Sequence, residues 1–158
     1  MSNIEQSLMF MVDHDLRVGL ATNHVELKNI NSVLTTQVIV EKLILMKNSL
    51  EIDFNIQKPK IAVLGLNPHN SENKISSIEN RIIKPAINIL RKIKIDIKGP
   101  FPTDTAFNKK NLASYDVLVG MYHDQVLGPF KALYGYDAIN ITLGLKYLRI
   151  SPDHGTAK

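Results

Sequence analysis

Three histidines each follow an apolar run, at the point where a strand is predicted to end. With their preceding runs they are His24 (17–21), His69 (61–66) and His123 (117–121). In an open α/β sheet, residues beyond the carboxyl ends of the strands face a common ligand crevice. Neutral imidazole nitrogens are common ligands of divalent metals, so the three side chains together could hold one ion. A lone histidine in such a place is more often a loop residue bonded to backbone or water, and the irregular spacing leaves both interpretations open.

Other polar side chains at predicted element ends could take part in chemistry. Asp104 is flanked by two threonines, a pattern that also fits an ordinary turn or helix N-cap. Asp124 could orient the neighbouring His123, polarise a metal-bound group or face solvent. Lys131 and Arg149 are cations that suit a phosphate or carboxylate, although isolated cations are common on any surface.

The segment 153–157 contains one glycine, which permits close approach of the backbone, between hydrogen-bonding side chains. It could wrap a nucleotide. It does not match G-x-G-x-x-G, the phosphate-binding pattern of dinucleotide-binding folds, and that pattern occurs nowhere in the chain.

The composition indicates one globular domain that binds small molecules. The chain has 158 residues, of which 44% are hydrophobic and 22% charged, and its formal net charge is +4. Its basic residues are scattered and do not form the clustered patch of a nucleic-acid-binding protein. Cysteine is absent, which excludes disulfides and thiolate chemistry. Without a basic start followed by a long apolar stretch, the chain is expected to be soluble, cytoplasmic and not membrane-bound.

The elements that would position these residues alternate between strand and helix. Strands are predicted at 17–22, 61–66, 116–121 and 138–143, helices at 35–54 with Thr35 as N-cap and at about 76–95 with an interruption at Pro85, a short helical opening at 4–10, and a turn or extended chain at 99–102. This alternation is typical of a parallel sheet with helices packed on it. No linker or repeat is visible, so residues 1–158 are expected to form one unit. The polar ending 151–158 looks cut short.

Six segments together resemble the 4-hydroxythreonine-4-phosphate dehydrogenase family of vitamin B6 biosynthesis. They are 16–24, IAVLGLNPH at 61–69, GPFPTDT at 99–105, MYHDQ at 121–125, NITLGL at 140–145 and RISPDHGTA at 149–157. They occur in the order of the family and cover nearly the whole chain, which makes the resemblance highly specific.

The resemblance implies an α/β fold like that of the isocitrate and isopropylmalate dehydrogenases, incomplete at both ends. It also implies a homodimer with shared active sites, in which one metal ligand comes from the partner subunit. The implied site residues are His24, His69 and His123 for the metal, Lys131, Asn140 and Arg149 for the substrate, Asp104 and Asp124 for catalysis or metal-site support, and His154, Gly155, Thr156 and Ala157 for the nicotinamide cofactor. The implied cofactors are NAD or NADP and a divalent metal (Zn, Mg or Co).

The implied reaction is the NAD-dependent oxidation and decarboxylation of 4-phosphohydroxy-L-threonine, a small phosphorylated amino acid. The chain departs from the family in length, because an N-terminal part and the closing C-terminal segment are expected to be missing. It also carries 70–77, NSENKISS, where the family is rich in glycine, and Val126 in place of a glycine. The alternatives are a non-catalytic remnant or metal-binding and dimerisation module, or a zinc hydrolase, which would lack an evident glutamate base.

Overall fold

The computed structural model describes residues 7–135, 138–145 and 149–152. Its strands are β1 (Leu8–Asp13), β2 (Leu16–Leu20), β3 (Ile61–Leu64), β4 (Ile97–Phe101), β5 (Val117–Gly120), β6 (Ile139–Leu143) and β7 (Arg149–Pro152). They form one seven-stranded sheet in the order β4-β3-β5-β2-β1-β6-β7. The strands β4, β3, β5 and β2 pair in parallel, whereas β1 pairs antiparallel with β2 and β6, and β6 pairs antiparallel with β7.

Helices cover both faces of this sheet. They are α1 (Ile30–Val33), α2 (Thr36–Ile52), α3 (Lys84–Lys92), α4 (Thr103–Ala106), α5 (Lys109–Leu112) and α6 (His123–Tyr134), with 3₁₀ segments at Leu27–Asn29 and Pro68–Asn73 and a π-helical turn at Glu79–Ile83. On one face, Leu43 of α2 and Leu90 of α3 share a buried cluster with Val119. On the other, Phe130 of α6 packs with Leu118. The predicted α/β class, a parallel-rich sheet flanked by helices, is confirmed.

The central strands are buried on both faces, as their continuous apolar sequences predicted. Every residue of β3 and β5 is buried, and the successive residues 61–64 and 117–119 belong alternately to the two core clusters. Because β2, β3 and β5 pair in parallel, their carboxyl ends meet at one edge of the sheet. In the described part of the chain, no helix combines the length and apolar character needed to cross a membrane.

Two sequence features that were expected to mark helix ends, Thr35 and Pro85, lie at the starts of helices. The Thr35 hydroxyl accepts a hydrogen bond from the backbone N–H of Val38 at 3.1 Å and so caps α2. Pro85 lies in the first turn of α3, directly after the π-helical turn. A proline is tolerated in a first turn because its missing N–H would have no helical partner there. The predicted interruption at Pro85 corresponds to the change from π- to α-helical geometry between Ile83 and Lys84, and the helical backbone is continuous across it.

The predicted helical opening at 4–10 is wrong for its described part, since Leu8–Phe10 belong to β1. The chain reverses at His14 and Asp15, so β1 lies between β2 and β6. Phe10 packs into one core cluster and Met11 into the other. Because β1 is buried on both faces, its sequence lacks the apolar–polar alternation of a half-exposed strand and was interpreted as helical.

The segment predicted as turn or extended chain at 99–102 is extended, and its first part belongs to the edge strand β4. Pro100 lacks an N–H and is tolerated there because one side of an edge strand needs no partner. The Gly65 N–H continues the pairing beyond β3 by donating to the Phe101 carbonyl at 2.9 Å. β4 thereby brings the start of α4 next to the end of β3.

Candidate active site

His24 and His123 lie side by side beyond the ends of two adjacent parallel strands. His24 follows β2 and His123 is the first residue of α6, after β5. The segments that follow β2 and β5 are held together by a hydrogen bond that the Thr22 hydroxyl donates to the Met121 carbonyl at 2.6 Å. The two imidazole centroids are 5.3 Å apart. The sequence prediction that these histidines share one sheet edge agrees with this geometry.

Asp124 contacts the imidazole of His123. Its Oδ1 lies 2.8 Å from Nδ1 of His123, within hydrogen-bonding distance. When Nδ1 donates to a carboxylate, Nε2 is left as the lone-pair nitrogen that can bind a metal. Of the roles considered for Asp124, orientation of His123 fits this contact.

His69 lies beside the other candidate carboxylate. Nε2 of His69 is 3.8 Å from Oδ2 of Asp104, and both side chains are largely exposed. They line a cavity of about 220 Å³, together with Leu66, Asn67, Pro68, Thr103, Tyr122 and Gln125. β3 leads into this cavity through the Asn67–Pro68 turn, and β4 leads into it through α4. Pairing of β3 with β4 therefore explains how two distant sequence motifs meet.

Within one subunit, the candidate ligands His24 and His123 form a pair, and His69 lies apart from them beside Asp104. Among residues 7–135, 138–145 and 149–152, no group of three His, Cys, Asp or Glu side chains is arranged to hold a metal ion. The pair His24 and His123 supplies two adjacent imidazoles, a donor set that suits a divalent ion but leaves coordination positions to be filled. His69 faces Asp104 across the neighbouring cavity.

A second cavity joins His24 to two predicted substrate residues. Its volume is about 230 Å³, and it is lined by Ser7, Met9, Asn23, His24, Asn140, Thr142, Arg149 and Ser151. The Oδ1 atom of Asn140 is buried and has no hydrogen-bond partner in the protein. An unsatisfied buried amide oxygen is unfavourable unless a bound group supplies a donor. Lys131, in contrast, lies in the last turn of α6 and lines neither of the two cavities.

The four residues predicted to contact the nicotinamide cofactor lie outside the described part of the chain. They are His154, Gly155, Thr156 and Ala157. Their assignment stays a prediction of the sequence.

Glu79 is a buried carboxylate beside the site whose role no sequence motif indicates. Its side chain is fully buried, and Oε1 accepts hydrogen bonds from the backbone N–H groups of Leu66 (3.0 Å) and Asn67 (2.8 Å) and from Nδ2 of Asn67 (3.1 Å). Burial alone raises the pKa of Glu79, but hydrogen bonds from Asn67, Ser71 and the backbone outweigh it, so the pKa lies below its ordinary value. The Glu79 carboxylate therefore fixes the turn that leads to His69.

Gln125 ends the motif MYHDQ, in which the sequence pattern indicates no role for it. It is buried in the first turn of α6, and its side-chain amide joins three chain segments. The spacing of Tyr122, Val126 and Phe130, four residues apart, indicates a helix that would bury its first turn. The polar residues at 123–125 made a loop the more obvious interpretation.

The turn that carries His69 has an unusual backbone. His69, Asn70, Ser71, Glu72 and Asn73 all have φ between 48° and 60°. Residues with a Cβ are disfavoured in this left-handed region by roughly 1–2 kcal/mol each. The turn is therefore strained, and it overlaps the segment 70–77, where the family that the sequence resembles is rich in glycine.

Glu72→Gly is expected to stabilise the protein by about 0.5–1 kcal/mol, because relief of the left-handed strain exceeds the entropy that glycine adds to the unfolded chain. Glu72 is exposed, so no packing is lost. Thermal unfolding would show a midpoint raised by about 1–4 °C. Glu72→Ala is the control, since alanine keeps the strain. Equal midpoints for the two variants would contradict a strained turn.

Comparison with known proteins agrees with this architecture. A sequence model of the family described as "Pyridoxal phosphate biosynthetic protein PdxA" matches residues 1–158. A 4-hydroxythreonine-4-phosphate dehydrogenase of Sulfurihydrogenibium sp. (strain YO3AOP1) is 45% identical over 156 residues, covering 98% of this chain and 48% of the relative. The enzyme of that name from Bradyrhizobium diazoefficiens is 44% identical over 155 residues, covering 98% of this chain and 45% of the relative.

A solved structure shares the fold. The crystal structure of 4-hydroxythreonine-4-phosphate dehydrogenase from Klebsiella pneumoniae superposes with a TM-score of 0.86 at 37% identity, covering 96% of this chain and 46% of that one. The chain spans about half the length of the curated relatives it matches. Since the family model matches every residue, the chain belongs to the pyridoxal phosphate biosynthetic protein PdxA family.

Proposed function

We propose that this chain carries the metal and substrate part of a dehydrogenase site that oxidises and decarboxylates 4-phosphohydroxy-L-threonine with NAD or NADP in vitamin B6 biosynthesis. The observation that carries the proposal is that His24, which lies beside His123, also lines a cavity together with Asn140 and Arg149. A pair of imidazoles next to an amide and a guanidinium suits a metal-bound, anionic substrate. The names of the relatives support a small phosphorylated substrate.

The three predicted ligands would form one site in a homodimer. His69 is separated from the other two histidines within a copy, and the resemblance expects one ligand from the partner subunit. In this arrangement, His24 and His123 would hold a divalent ion (Zn, Mg or Co) with a histidine of the second copy. When bound, such an ion lowers the pKa of an alcohol and polarises the carbonyl formed from it.

The remaining side chains have binding and orienting roles in this proposal. Arg149 would bind the phosphate or carboxylate through two N–H groups, and the buried Oδ1 of Asn140 would accept a hydrogen bond from the substrate. Asp124 would hold the imidazole of His123. Asp104 is exposed beside His69 and could take up or release a proton there. Lys131 lines neither cavity, so it would reach the substrate only from outside them.

We also propose that the protein acts in the cytoplasm.

A second candidate is a metal-binding and dimerisation module without turnover. It is favoured by the strained turn at His69. A zinc hydrolase has no comparable support, because family membership points to dehydrogenases.

NADH formation separates the first two candidates. For a dehydrogenase, absorbance at the NADH band should rise when the chain is mixed with 4-phosphohydroxy-L-threonine, NAD and Zn, Mg or Co, and His123→Ala should abolish the rise. Metal binding that is lost in His69→Ala, without NADH formation, would instead support the module. His14→Ala is the matched control, because His14 is exposed in the turn between β1 and β2, at the opposite edge of the sheet.

A further inference from the structure

One buried amide joins three strand ends at the proposed site. Oε1 of Gln125 accepts a hydrogen bond from the backbone N–H of Met121 at 2.6 Å. Nε2 of Gln125 donates to the Gly65 carbonyl at 2.5 Å and to the Thr103 hydroxyl at 2.8 Å. The side chain is 4% exposed, so these bonds are shielded from competing water.

Each of the three partners leads directly into a site residue. Gly65 follows β3 and precedes the turn to His69, Thr103 adjoins Asp104, and Met121 directly follows β5, two residues before His123. The Gln125 amide also lines the cavity that holds His69 and Asp104. It therefore links, through side-chain hydrogen bonds, the segments that follow the paired strands β3, β4 and β5.

The surroundings of this side chain require an amide. The Met121 N–H can only donate and the Gly65 carbonyl can only accept, so the partners determine which end of the amide is oxygen. A glutamate at 125 would place a carboxylate oxygen against the Gly65 carbonyl. A methionine would leave all three partners without a bond. Gly120 makes room, since a Cβ there would lie 3.1 Å from Oε1 of Gln125.

We propose that Gln125 is a positioning residue that holds the segments of His69, Asp104 and His123 in register for metal binding. The inference rests on the proposed function for its consequence, and on the three hydrogen bonds for its mechanism. Gln125 acts through the backbone of its partners and needs no contact with the reacting atoms.

The first test uses the metal-free chain and is independent of metal binding. Gln125→Glu and the milder Thr103→Val should each speed amide hydrogen exchange about tenfold in peptides covering 65–70, 101–106 and 121–126, with no change in α2. Thr103→Ser keeps the hydroxyl and should exchange like the wild type. Unchanged exchange in all three segments, or equally fast exchange throughout the chain, would overturn the positioning role.

The second test measures the site itself by titration with Co²⁺. Gln125→Glu and Thr103→Val should weaken Co²⁺ binding by about 10–100-fold and shift its visible absorption bands, and Thr103→Ser should restore both. The wild type and His69→Ala are titrated in parallel. If the wild type binds no Co²⁺, the proposed metal site is wrong, and hydrogen exchange alone decides the role of Gln125. If the wild type binds but the variants have its affinity and spectrum, the inference about Gln125 is wrong.

Discussion

Glu79→Ala is expected to lower the free energy of unfolding by about 3–5 kcal/mol. The substitution removes a fully buried carboxylate and leaves the N–H groups of Leu66 and Asn67 without their acceptor. Each buried donor left unpaired costs about 1–3 kcal/mol, and the bonds lost here involve a charged group. Urea unfolding followed by circular dichroism measures the change. A loss below about 1 kcal/mol would show that the carboxylate does not hold this turn.

Glu79→Gln is the matched control, because it keeps an oxygen for the two backbone donors, while it removes the charge and the second oxygen, which accepts from Nδ2 of Asn67 at 3.3 Å. Its loss of stability at neutral pH should be smaller, about 1–2 kcal/mol. The folded-state pKa of Glu79 is below its ordinary value, since its hydrogen bonds outweigh the effect of burial. The stabilisation is therefore present above the unfolded-state pKa of about 4.3 and is lost as the pH falls through the lower folded-state value. The difference between wild type and Glu79→Gln should shrink below about pH 4.

Gly99→Ala should destabilise the protein by about 3–5 kcal/mol. Gly99 lies in β4 with φ of 132°, a conformation that residues with a Cβ rarely adopt. An added Cβ would also overlap the carbonyl of Val63 in the paired strand β3. Backbone in a paired strand has little room to move, so β4 would have to separate from β3. Because β4 leads to Asp104, the site would be disturbed as well.

Gly135→Ala isolates the backbone part of that effect. Gly135 has φ of 69°, but a Cβ there would meet no atom within 4 Å. Its φ is combined with a ψ of −137°, a conformation that glycine alone adopts readily, so the substitution should cost about 1–3 kcal/mol, less than Gly99→Ala. Equal losses for the two alanine variants in urea unfolding would show that β3 and β4 are not in close contact at Gly99.

The sequence was sufficient for three of the four parallel strands, β2, β3 and β5, whereas the edge strand β4 was predicted only as turn or extended chain. The apolar runs at 61–66 and 116–121 are buried on both faces, and the cap at Thr35 forms as predicted. These patterns are local, so no knowledge of distant contacts was needed. The family assignment likewise depended on short motifs in order, and the family model confirms it.

In the antiparallel half only β6 was predicted as a strand, at 138–143. β1, β7 and the antiparallel pairing were not predicted, because they depend on contacts across the chain. β1 is sandwiched between β2 and β6, and burial from both sides removes the alternation that identifies a half-exposed strand. The helix α6 was missed because it begins with polar residues and contains Pro129. His123 is thus a helix-start residue, although its place after β5 was predicted correctly.

The site was predicted as a set of residue types, and its grouping came only from the fold. Register between β6 and β7 puts Asn140 and Arg149 in the cavity of His24, whereas His69 is drawn toward Asp104 by the pairing of β3 with β4. Glu79 and Gln125 escaped notice because their partners are mostly backbone atoms, which leave no trace in a sequence pattern.

The most direct test of the proposed metal site is an equilibrium titration of the purified chain with Zn²⁺ or Co²⁺, with the molecular mass measured in parallel. The account predicts binding that weakens by at least about tenfold in each of His24→Ala, His69→Ala and His123→Ala, and a dimer in the bound state. His14→Ala should bind like the wild type. Wild-type affinity in all three site variants, or the same loss in His14→Ala, would contradict a metal site built from these histidines.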